Sequence, residues 1–167
     1  GGTGKSELIR AIYADAQESK KKIAVCAMTG CAAVLLKCNA KTIHSWGGLG
    51  RCIGETDDII TRIKENRHKR GMWYTVDTLI IDEVSMMSKK LFEIMDSLGK
   101  VIRKKSWKPF GGIQLIFSGD FHQLPPIGEK DEPDTKQFCF ESDRWLTTFF
   151  VSNHILMTRI FRQDRKS

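Results

Sequence analysis

The chain opens on Gly1-Gly2-Thr3-Gly4-Lys5-Ser6, and apolar residues at helical spacing follow it over residues 7–14. A phosphate-binding loop reads G-x-x-x-x-G-K-[ST], and the opening residues match its second part. The glycines let backbone N–H groups face phosphate oxygens, and the N-terminus of the following helix adds partial positive charge. Lys5 is expected to reach the β- and γ-phosphates of ATP, and the Ser6 hydroxyl to bind Mg²⁺. The predicted nucleotide-binding residues are Gly1, Gly2, Thr3, Gly4, Lys5 and Ser6.

A glycine-rich turn that only caps a helix is the alternative, and the Gly-Lys-Ser triplet before an apolar helix disfavours it. The first glycine of the motif and the strand that should precede it are missing from the sequence. This predicts that the sequence begins inside the motif and is a piece of a longer domain.

Short apolar runs alternate with amphipathic segments along the rest of the chain. We expect strands at 23–27, 78–82, 113–117, 149–151 and 154–156, and helices at 30–35, 57–70 and 88–105. Alternating helices and continuous apolar strands are typical of an α/β domain. The expected fold is a P-loop NTPase fold with a mostly parallel sheet flanked by helices.

Composition sets the class of protein. The chain has 167 residues, of which 41% are hydrophobic and 28% charged, an ordinary balance for one globular domain. No apolar run approaches the ~18 residues that a membrane span needs, and no signal segment opens the sequence. Both favour an intracellular protein without a membrane partner. The net charge of +7 favours a polyanionic partner, and five cysteines without a C-x-x-C pair argue against disulfides and zinc.

A second motif, Leu79-Ile80-Ile81-Asp82-Glu83, ends a predicted strand in two carboxylates. Ligands of open α/β sheets bind beyond the carboxyl ends of the strands. Asp82 suits a Mg²⁺ shell, and Glu83 suits general-base polarisation of an attacking water. An isolated Asp-Glu pair is commonly a solvated loop, but a phosphate-binding loop earlier in the chain favours the functional interpretation.

A third motif runs Phe117-Ser118-Gly119-Asp120-Phe121-His122-Gln123-Leu124-Pro125-Pro126. Gln123 is a candidate sensor of the γ-phosphate by hydrogen bonding, although such an amide on its own is more often an ordinary loop group. His122 has no metal-ligand partners nearby in the sequence, and we assign it no chemistry.

Together these motifs resemble the motor domain of the Pif-type (petite-integration-frequency) helicases, relatives of RecD in superfamily 1B. Nearly the whole chain takes part, and the Asp-Glu-x-Ser-Met and Gly-Asp-x-x-Gln-Leu-Pro-Pro strings are highly specific. The matching segments are Gly2-Thr3-Gly4-Lys5-Ser6, Thr29-Gly30-Cys31-Ala32-Ala33, Thr42-Ile43-His44-Ser45, Asp82-Glu83-Val84-Ser85-Met86, Pro109-Phe110-Gly111-Gly112, Gly119-Asp120-Phe121-His122-Gln123-Leu124-Pro125-Pro126 and Phe161-Arg162-Gln163.

The resemblance implies a RecA-like fold and ATP-driven 5′-to-3′ translocation along single-stranded DNA, with unwinding of forked duplex. Arg162 would act as an arginine finger and, with Gln123, contact the γ-phosphate. The expected catalytic set is Lys5, Glu83, Gln123 and Arg162, with Mg²⁺ held by Ser6 and Asp82. In the family, Thr29, Gly30, Thr42 and His44 would occupy positions that line the DNA track. Without the resemblance, His44 is more simply an ordinary capping or buried histidine.

The resemblance also sets the expected domain organisation. Residues 1–167 would form part of one RecA-like motor domain, without the adenine-reading segment and without the second motor domain that completes the ATP site. We therefore expect these residues alone to bind nucleotide weakly and to hydrolyse almost none. Residues 47–76 would be a small inserted element that faces DNA.

Two basic clusters lie away from the ATP motifs, and Trp73 or Trp107 could offer a stacking surface beside them. For the first cluster, DNA contact, above all by Arg67 and Lys69, and a solvated helix face are equally open interpretations. For the second cluster the solvated face is preferred. The clusters are Arg62, Lys64, Arg67, Lys69 and Arg70, and Lys100, Arg103, Lys104, Lys105 and Lys108.

Three classes of function fit these motifs: a helicase of DNA repair, recombination and telomere maintenance, a P-loop ATPase switch without translocation, and a nucleic-acid-binding remnant with a dead ATP site. The intact ATP motifs count against the remnant, and the DNA-track motifs count against the switch. In a eukaryote the helicase would work in the nucleus or the mitochondrion. No motif bears on oligomeric state.

Overall fold

The sheet can be followed through a computed structural model that describes residues 3–155 and 160–163. Within these residues six strands form one sheet. The strands are β1 (Ile23–Ala27), β2 (Lys41–Thr42), β3 (Thr78–Asp82), β4 (Gln114–Ser118), β5 (His154–Ile155) and β6 (Ile160–Arg162). Their order across the sheet is β2-β1-β3-β4-β6-β5.

Strands β1 to β4 run parallel, and β6 and β5 add antiparallel pairs at one side. Every residue of β3 and β4 is buried, as expected for central parallel strands covered on both faces. The predicted mostly parallel α/β sheet is confirmed. Ala27, Asp82 and Ser118 align across the sheet, so β1, β3 and β4 end at the same edge. We call it the carboxyl edge.

Seven helices accompany the strands in the described part of the chain. They are α1 (Thr3–Glu18), α2 (Gly30–Leu36), α3 (Ile43–Gly47), α4 (Thr56–Glu65), α5 (Arg67–Thr75), α6 (Lys89–Ile102) and α7 (Trp145–Thr148). Short 3-10 turns lie at Val84–Met86, Pro109–Gly112, Pro133–Thr135, Cys139–Glu141 and Val151–Asn153. None of the described helices combines the length and the apolar character needed to cross a membrane.

Apolar side chains fill both faces of the sheet. On one face, Ile80 and Ile116 pack with Ile9 of α1 and Leu36 of α2. The other face carries the larger cluster, in which Leu79, Ile81, Leu115 and Phe117 meet helices α3 to α7. Its aromatic centre includes Phe117 and Phe149, whose ring centroids lie 4.9 Å apart.

Three predicted element boundaries are wrong. The helix expected over 57–70 is two helices, because Asn66 leaves helical geometry (φ −81°, ψ 104°) and its side chain accepts a hydrogen bond from Lys69 N at 3.1 Å. The helix expected to run to 105 ends at Ile102, and Lys104 has a left-handed backbone (φ 55°). The apolar run at 149–151 is not a strand: Phe149 is a buried residue at the end of α7, and a 3-10 turn follows it.

The segment at 47–76 shares the main core of the domain. Ile59, Ile63 and Trp73 belong to the same buried cluster as the sheet residues. Trp73 is fully buried, and its ring N–H donates to the carbonyl of Gly47 at 3.1 Å. The stacking surface suggested for Trp73 is therefore wrong, whereas Trp107 is 72% exposed.

Opposite the carboxyl edge, Arg103 ties several loops together. Its guanidinium donates to the carbonyls of Trp73, Tyr74 and Val76 at 2.8 to 3.1 Å, and to that of Gly111 at 2.9 Å. Gly99 of α6 faces the Pro109–Gly112 turn, and a Cβ built on it would overlap the carbonyl of Phe110. Helix and turn can approach this closely only because residue 99 has no side chain.

Candidate functional site

Lys5 and Asp82 meet at the carboxyl edge of the sheet. Lys5 lies in the first turn of α1, and its Nζ is 3.0 Å from Oδ1 of Asp82, the last residue of β3. The two side chains are 15% and 6% exposed. Two motifs far apart in sequence thus bring a cation and a carboxylate into one sheltered contact.

Glu83 follows Asp82 in a left-handed backbone conformation (φ 59°, ψ 42°). This conformation costs roughly 1–2 kcal/mol for a residue with a side chain, and such strain tends to occur at functional sites. The backbone N–H of Glu83 donates to Asp82 Oδ1 at 2.8 Å, which offsets part of the cost. The turn ends β3 and leads directly into the 3-10 turn Val84–Met86.

Thr29 lies between α2 and the acidic end of β3. Its hydroxyl oxygen accepts the N–H of Ala32 at 3.2 Å and so caps α2. The same hydroxyl donates to Oε2 of Glu83 at 3.4 Å. One residue earlier, Met28 N–H donates to the carbonyl of Asp82 at 3.3 Å. The residues just before α2 therefore bind both Asp82, the last residue of β3, and Glu83, which follows it.

Glu83 and Gln123 line the same open cavity, which has a volume of about 500 Å³. Gln123 reaches it from a turn in which Asp120 accepts the N–H of His122 on its side chain, at 2.9 Å, and that of Gln123 on its carbonyl, at 3.0 Å. The remaining lining residues are Ser85, Met86, His122, Leu124 and Pro125. The second and third sequence motifs therefore face one space.

Ser118 is a site residue that sequence reasoning missed. Its fully buried hydroxyl has no hydrogen-bond partner among the described residues, and Ser118 aligns with Asp82 in the parallel pairing of β3 and β4. Residues aligned in this way lie side by side on one face of a sheet. The signal was present in the sequence, because both residues are the polar ends of apolar strands.

Gly119 lets the chain after β4 pass the turn at Glu83. A Cβ on Gly119 would lie 2.9 Å from the backbone N of Val84, closer than real Cβ contacts allow. The glycine of the third motif thus serves the packing of the two loops that carry Glu83 and Gln123.

The structure locates the main chain of Arg162 but not its side chain. Arg162 lies in β6, level with Ile116 in the middle of β4, while Ile160 is level with Ser118 at the carboxyl edge. Gln163 anchors the strand, because its backbone N–H donates to the carbonyl of Leu115 at 3.0 Å. A contact between Arg162 and nucleotide stays a prediction, and Gly1, Gly2 and the side chain of Thr3 lie outside the described part.

Thr42 and His44 form the start of α3. Thr42 caps this helix by accepting the N–H of Ser45 at 3.2 Å. His44 is half-buried, and burial lowers the pKa of its imidazole below the ordinary value of 6.5. It lines a second cavity, of about 270 Å³, together with Met28, Arg51 and Lys90. A neutral His44 can hydrogen-bond a sugar or a phosphate but adds no charge.

The first basic cluster divides into exposed and engaged residues. Arg67 is exposed at the start of α5. Lys69 donates its ammonium to the carbonyls of Ser45 and Trp46, at 2.7 and 3.3 Å, and so satisfies the end of α3. An ammonium has three N–H donors, which leaves Lys69 one for a DNA phosphate. DNA contact by Arg67 and Lys69 stays a prediction.

The oxygen groups at the carboxyl edge fit Mg²⁺. Among the described residues, no group of three or more His, Cys, Asp or Glu could hold a metal ion. Mg²⁺ does not require one, because it is usually bound by one or two carboxylates, substrate phosphates and water. Asp82 supplies a carboxylate, Ser6 a hydroxyl in the first turn of α1, and the Ser118 hydroxyl lies beside Asp82.

Comparison with known proteins assigns the family. The family model described as PIF1-like helicase matches residues 1–167. The chain belongs to the PIF1-like helicase family. The predicted resemblance to Pif-type helicases is thereby confirmed.

Curated and solved members of the family agree with this assignment. The chain is 38% identical over 165 residues to the ATP-dependent DNA helicase RRM3 of Saccharomyces cerevisiae, and the match covers 98% of this chain but 22% of RRM3. The Candida albicans Pif1 helicase structure is 38% identical, with a TM-score of 0.76 over 87% of this chain and 32% of that one. Pif1 from Bacteroides in complex with ADP-AlF3 and ssDNA is 28% identical, with a TM-score of 0.58 over 74% of this chain and 29% of that one.

The chain therefore spans about a fifth of the length of the curated relative, at 22%. The RecA-like fold expected from the sequence agrees with these structural neighbours.

Proposed function

We propose that the chain is the ATP-binding part of an ATP-dependent DNA helicase. The observation that carries this proposal is the convergence at the carboxyl edge, where Lys5 pairs with Asp82 while Glu83 and Gln123 line one cavity. This is the layout that phosphoryl transfer needs: a phosphate-binding cation, a metal-binding carboxylate and a base for the attacking water. The proposed nucleotide-binding residues are Gly1, Gly2, Thr3, Gly4, Lys5 and Ser6.

Hydrolysis would begin by exchanging the ion pair for ligand contacts. Lys5 would leave Asp82 for the β- and γ-phosphates, and Asp82 and Ser6 would hold Mg²⁺, which neutralises phosphate charge when it is bound. Glu83 accepts a proton from the water that attacks the γ-phosphorus, the bond from the γ-phosphorus to the bridging oxygen breaks, and ADP leaves with that oxygen. Gln123 hydrogen-bonds the γ-phosphate. Arg162 is proposed as the arginine finger that stabilises charge on the transferring phosphoryl group.

The DNA-facing residues of the proposal lie on the same side of the domain as the ATP site. Thr29 and Gly30 follow β1 at the carboxyl edge, Thr42 is the last residue of β2 and pairs with Ala27, and His44 lies just after it. Arg67 adds an exposed cation, and Lys69 adds its remaining N–H. The Bacteroides Pif1 structure contains ADP-AlF3 and ssDNA together, which supports a single-stranded DNA track beside the nucleotide. Forked duplex is the proposed unwinding substrate, with 5′-to-3′ movement.

An ATPase switch that never moves along DNA is the second candidate. It shares Lys5, Asp82 and Glu83, and it predicts ATP hydrolysis that is indifferent to DNA. The decisive measurement is the ATPase rate of the full-length protein with and without single-stranded DNA, alongside strand separation on a fork. Stimulation by DNA with unwinding supports the helicase, and equal rates without unwinding support the switch.

Two variants connect the rates to the site. Lys5→Ala and Glu83→Gln should each reduce the DNA-stimulated rate by at least about a hundredfold, since each removes a group that acts on the transferring phosphate or the attacking water.

Repair, recombination and telomere maintenance are the proposed cellular roles, in the nucleus or mitochondrion of a eukaryote.

A further inference from the structure

We infer that Thr29 is a positioning residue that makes ATP hydrolysis respond to DNA. In the absence of DNA, its hydroxyl holds the Glu83 carboxylate away from the attacking water. When DNA occupies the track, the hydroxyl turns to a phosphate oxygen and releases Glu83. The inference rests on the proposed function, in which Glu83 is the general base and Thr29 contacts DNA.

The number of protons on the hydroxyl makes the contact exclusive. A threonine hydroxyl has one proton to donate and two lone pairs that accept. In Thr29 one lone pair takes the N–H of Ala32 at 3.2 Å, and the proton goes to Glu83 Oε2 at 3.4 Å. A DNA phosphate that takes this proton must therefore take it from Glu83.

The surroundings of Thr29 leave room for the exchange. Thr29 is partly exposed, and its neighbour Gly30 is exposed. A Cβ built on Gly30 would meet no atom within 4 Å, so the surface beside the hydroxyl is open to a ligand. The other half of the contact is half-buried, and Glu83 lines the cavity that it shares with Gln123.

The backbone keeps Thr29 and Glu83 in register. Met28 N–H donates to the carbonyl of Asp82 at 3.3 Å, and Glu83 N–H donates to the Asp82 carboxylate at 2.8 Å. Because the main chains on both sides are fixed, rotation of two side chains is enough to break the Thr29–Glu83 contact. Neither α2 nor β3 has to move.

Capping of α2 is the competing explanation for Thr29, and substitutions separate the two tasks. Thr29→Ser keeps the capping oxygen and the proton. Thr29→Asp keeps a capping oxygen, a good one at helix N-termini, but has no proton to give to Glu83 and repels it. Thr29→Ala loses both. A purely capping residue would make Asp behave like Thr.

The test is the ATPase rate of the full-length protein, measured without DNA and with saturating single-stranded DNA. Thr29→Asp and Thr29→Ala should raise the DNA-free kcat about fivefold to tenfold, the size of effect expected for losing one ordinary hydrogen bond, because the contact of 3.4 Å is long for a charge-assisted one. The ratio of stimulated to unstimulated rate should fall with it. Thr29→Ser should stay within about twofold of the wild-type ratio.

A second series shows through which residue Thr29 acts. In a Glu83→Gln background, neither Thr29→Asp nor Thr29→Ala should raise the DNA-free rate, because there is no carboxylate to release. Melting temperatures of all variants report the capping loss separately. If Thr29 acts only as the cap, Thr29→Ala lowers the Tm, Thr29→Asp does not, and neither variant raises the DNA-free rate, which overturns the inference.

Two failures are distinguishable. A DNA-free kcat that stays at or below wild type in both Thr29→Asp and Thr29→Ala, while Glu83→Gln is inactive, overturns the inference and leaves the proposed function standing. Full activity of Glu83→Gln overturns the assignment of Glu83 as the general base and the inference built on it, whereas ATP hydrolysis that is indifferent to DNA, without unwinding, overturns the proposed helicase function.

Discussion

Lys5 Nζ lies 3.0 Å from Asp82 Oδ1, and both groups are largely shielded from water. In this arrangement each group neutralises the other, so neither carries an unpaired charge in a sheltered site. Lys5 is the predicted phosphate-binding cation and Asp82 the predicted Mg²⁺ ligand, and both must part when nucleotide binds.

Asp82→Asn tests this pair. It should lower Mg²⁺-dependent ATP hydrolysis by at least about a hundredfold, because an amide binds Mg²⁺ weakly. It should also destabilise the fold, because it leaves the Lys5 ammonium without its partner. Steady-state ATPase assays against Mg²⁺ concentration, with thermal denaturation, measure both effects. Glu7→Gln, which neutralises an exposed carboxylate on α1, is the matched control and should change neither.

Gly99→Ala should destabilise the protein by about 1–3 kcal/mol, the usual cost of forcing extra atoms into a packed site. The new Cβ would overlap the carbonyl of Phe110. Gly71→Ala is the control, because Gly71 is exposed within α5 and its Cβ would meet nothing within 4 Å. Gly71→Ala should stabilise by about 0.5–1 kcal/mol. Urea denaturation of both variants checks the pair, and equal effects would contradict the close approach.

His44 should make stability fall at mildly acid pH. Its pKa is lowered by burial from 6.5, so the unfolded chain takes up a proton at a higher pH than the folded chain does. The contribution of neutral His44 to the free energy of unfolding is therefore fully present above pH 6.5 and is lost as the pH falls from there through the lower folded pKa. His44→Gln should flatten this part of the profile. Denaturation midpoints measured from pH 7.5 to 5 test this prediction. If the stability of His44→Gln falls with pH as steeply as that of the wild type, His44 is not the group responsible.

Substitutions of Arg67 and of Lys69 should have different effects on DNA binding and on stability. Arg67→Glu should reduce the slope of log K against log salt for single-stranded DNA by about 0.7 or more, one phosphate contact, without loss of stability. Lys69→Gln should mainly lower the melting temperature, since the Lys69 ammonium satisfies the carbonyls of Ser45 and Trp46. Fluorescence anisotropy of the full-length protein at several salt concentrations gives the slopes. An unchanged slope in Arg67→Glu would remove this residue from the DNA track.

The elements around the site were largely predictable because their signals are local. Residues 79–81 are three consecutive apolar residues followed by Asp82, a pattern typical of a buried parallel strand. The acidic end of that run and the glycine-lysine-serine turn could then be placed at one sheet edge by topology alone.

The predictions that were wrong concern elements whose form depends on tertiary contacts and side-chain caps, which the sequence pattern does not show. Phe149 looked like part of a strand because it is apolar, yet tertiary packing with Phe117 and Trp145 puts it at a helix end. The break at Asn66 follows from a side-chain cap that competes with the helix pattern. The Ser118 hydroxyl, which has no partner within residues 3–155 and 160–163, and the hydroxyl bridge between Thr29 and Glu83 appear only once the strands are aligned.

Arg103 has a mechanical consequence for the domain. The Arg103 guanidinium donates to the carbonyls of Trp73, Tyr74, Val76 and Gly111. One side chain therefore holds together the two segments that lead into β3 and β4. The amino ends of β3 and β4 are thereby fixed to the end of α6, and the same two strands present Asp82 and Ser118 at the opposite edge.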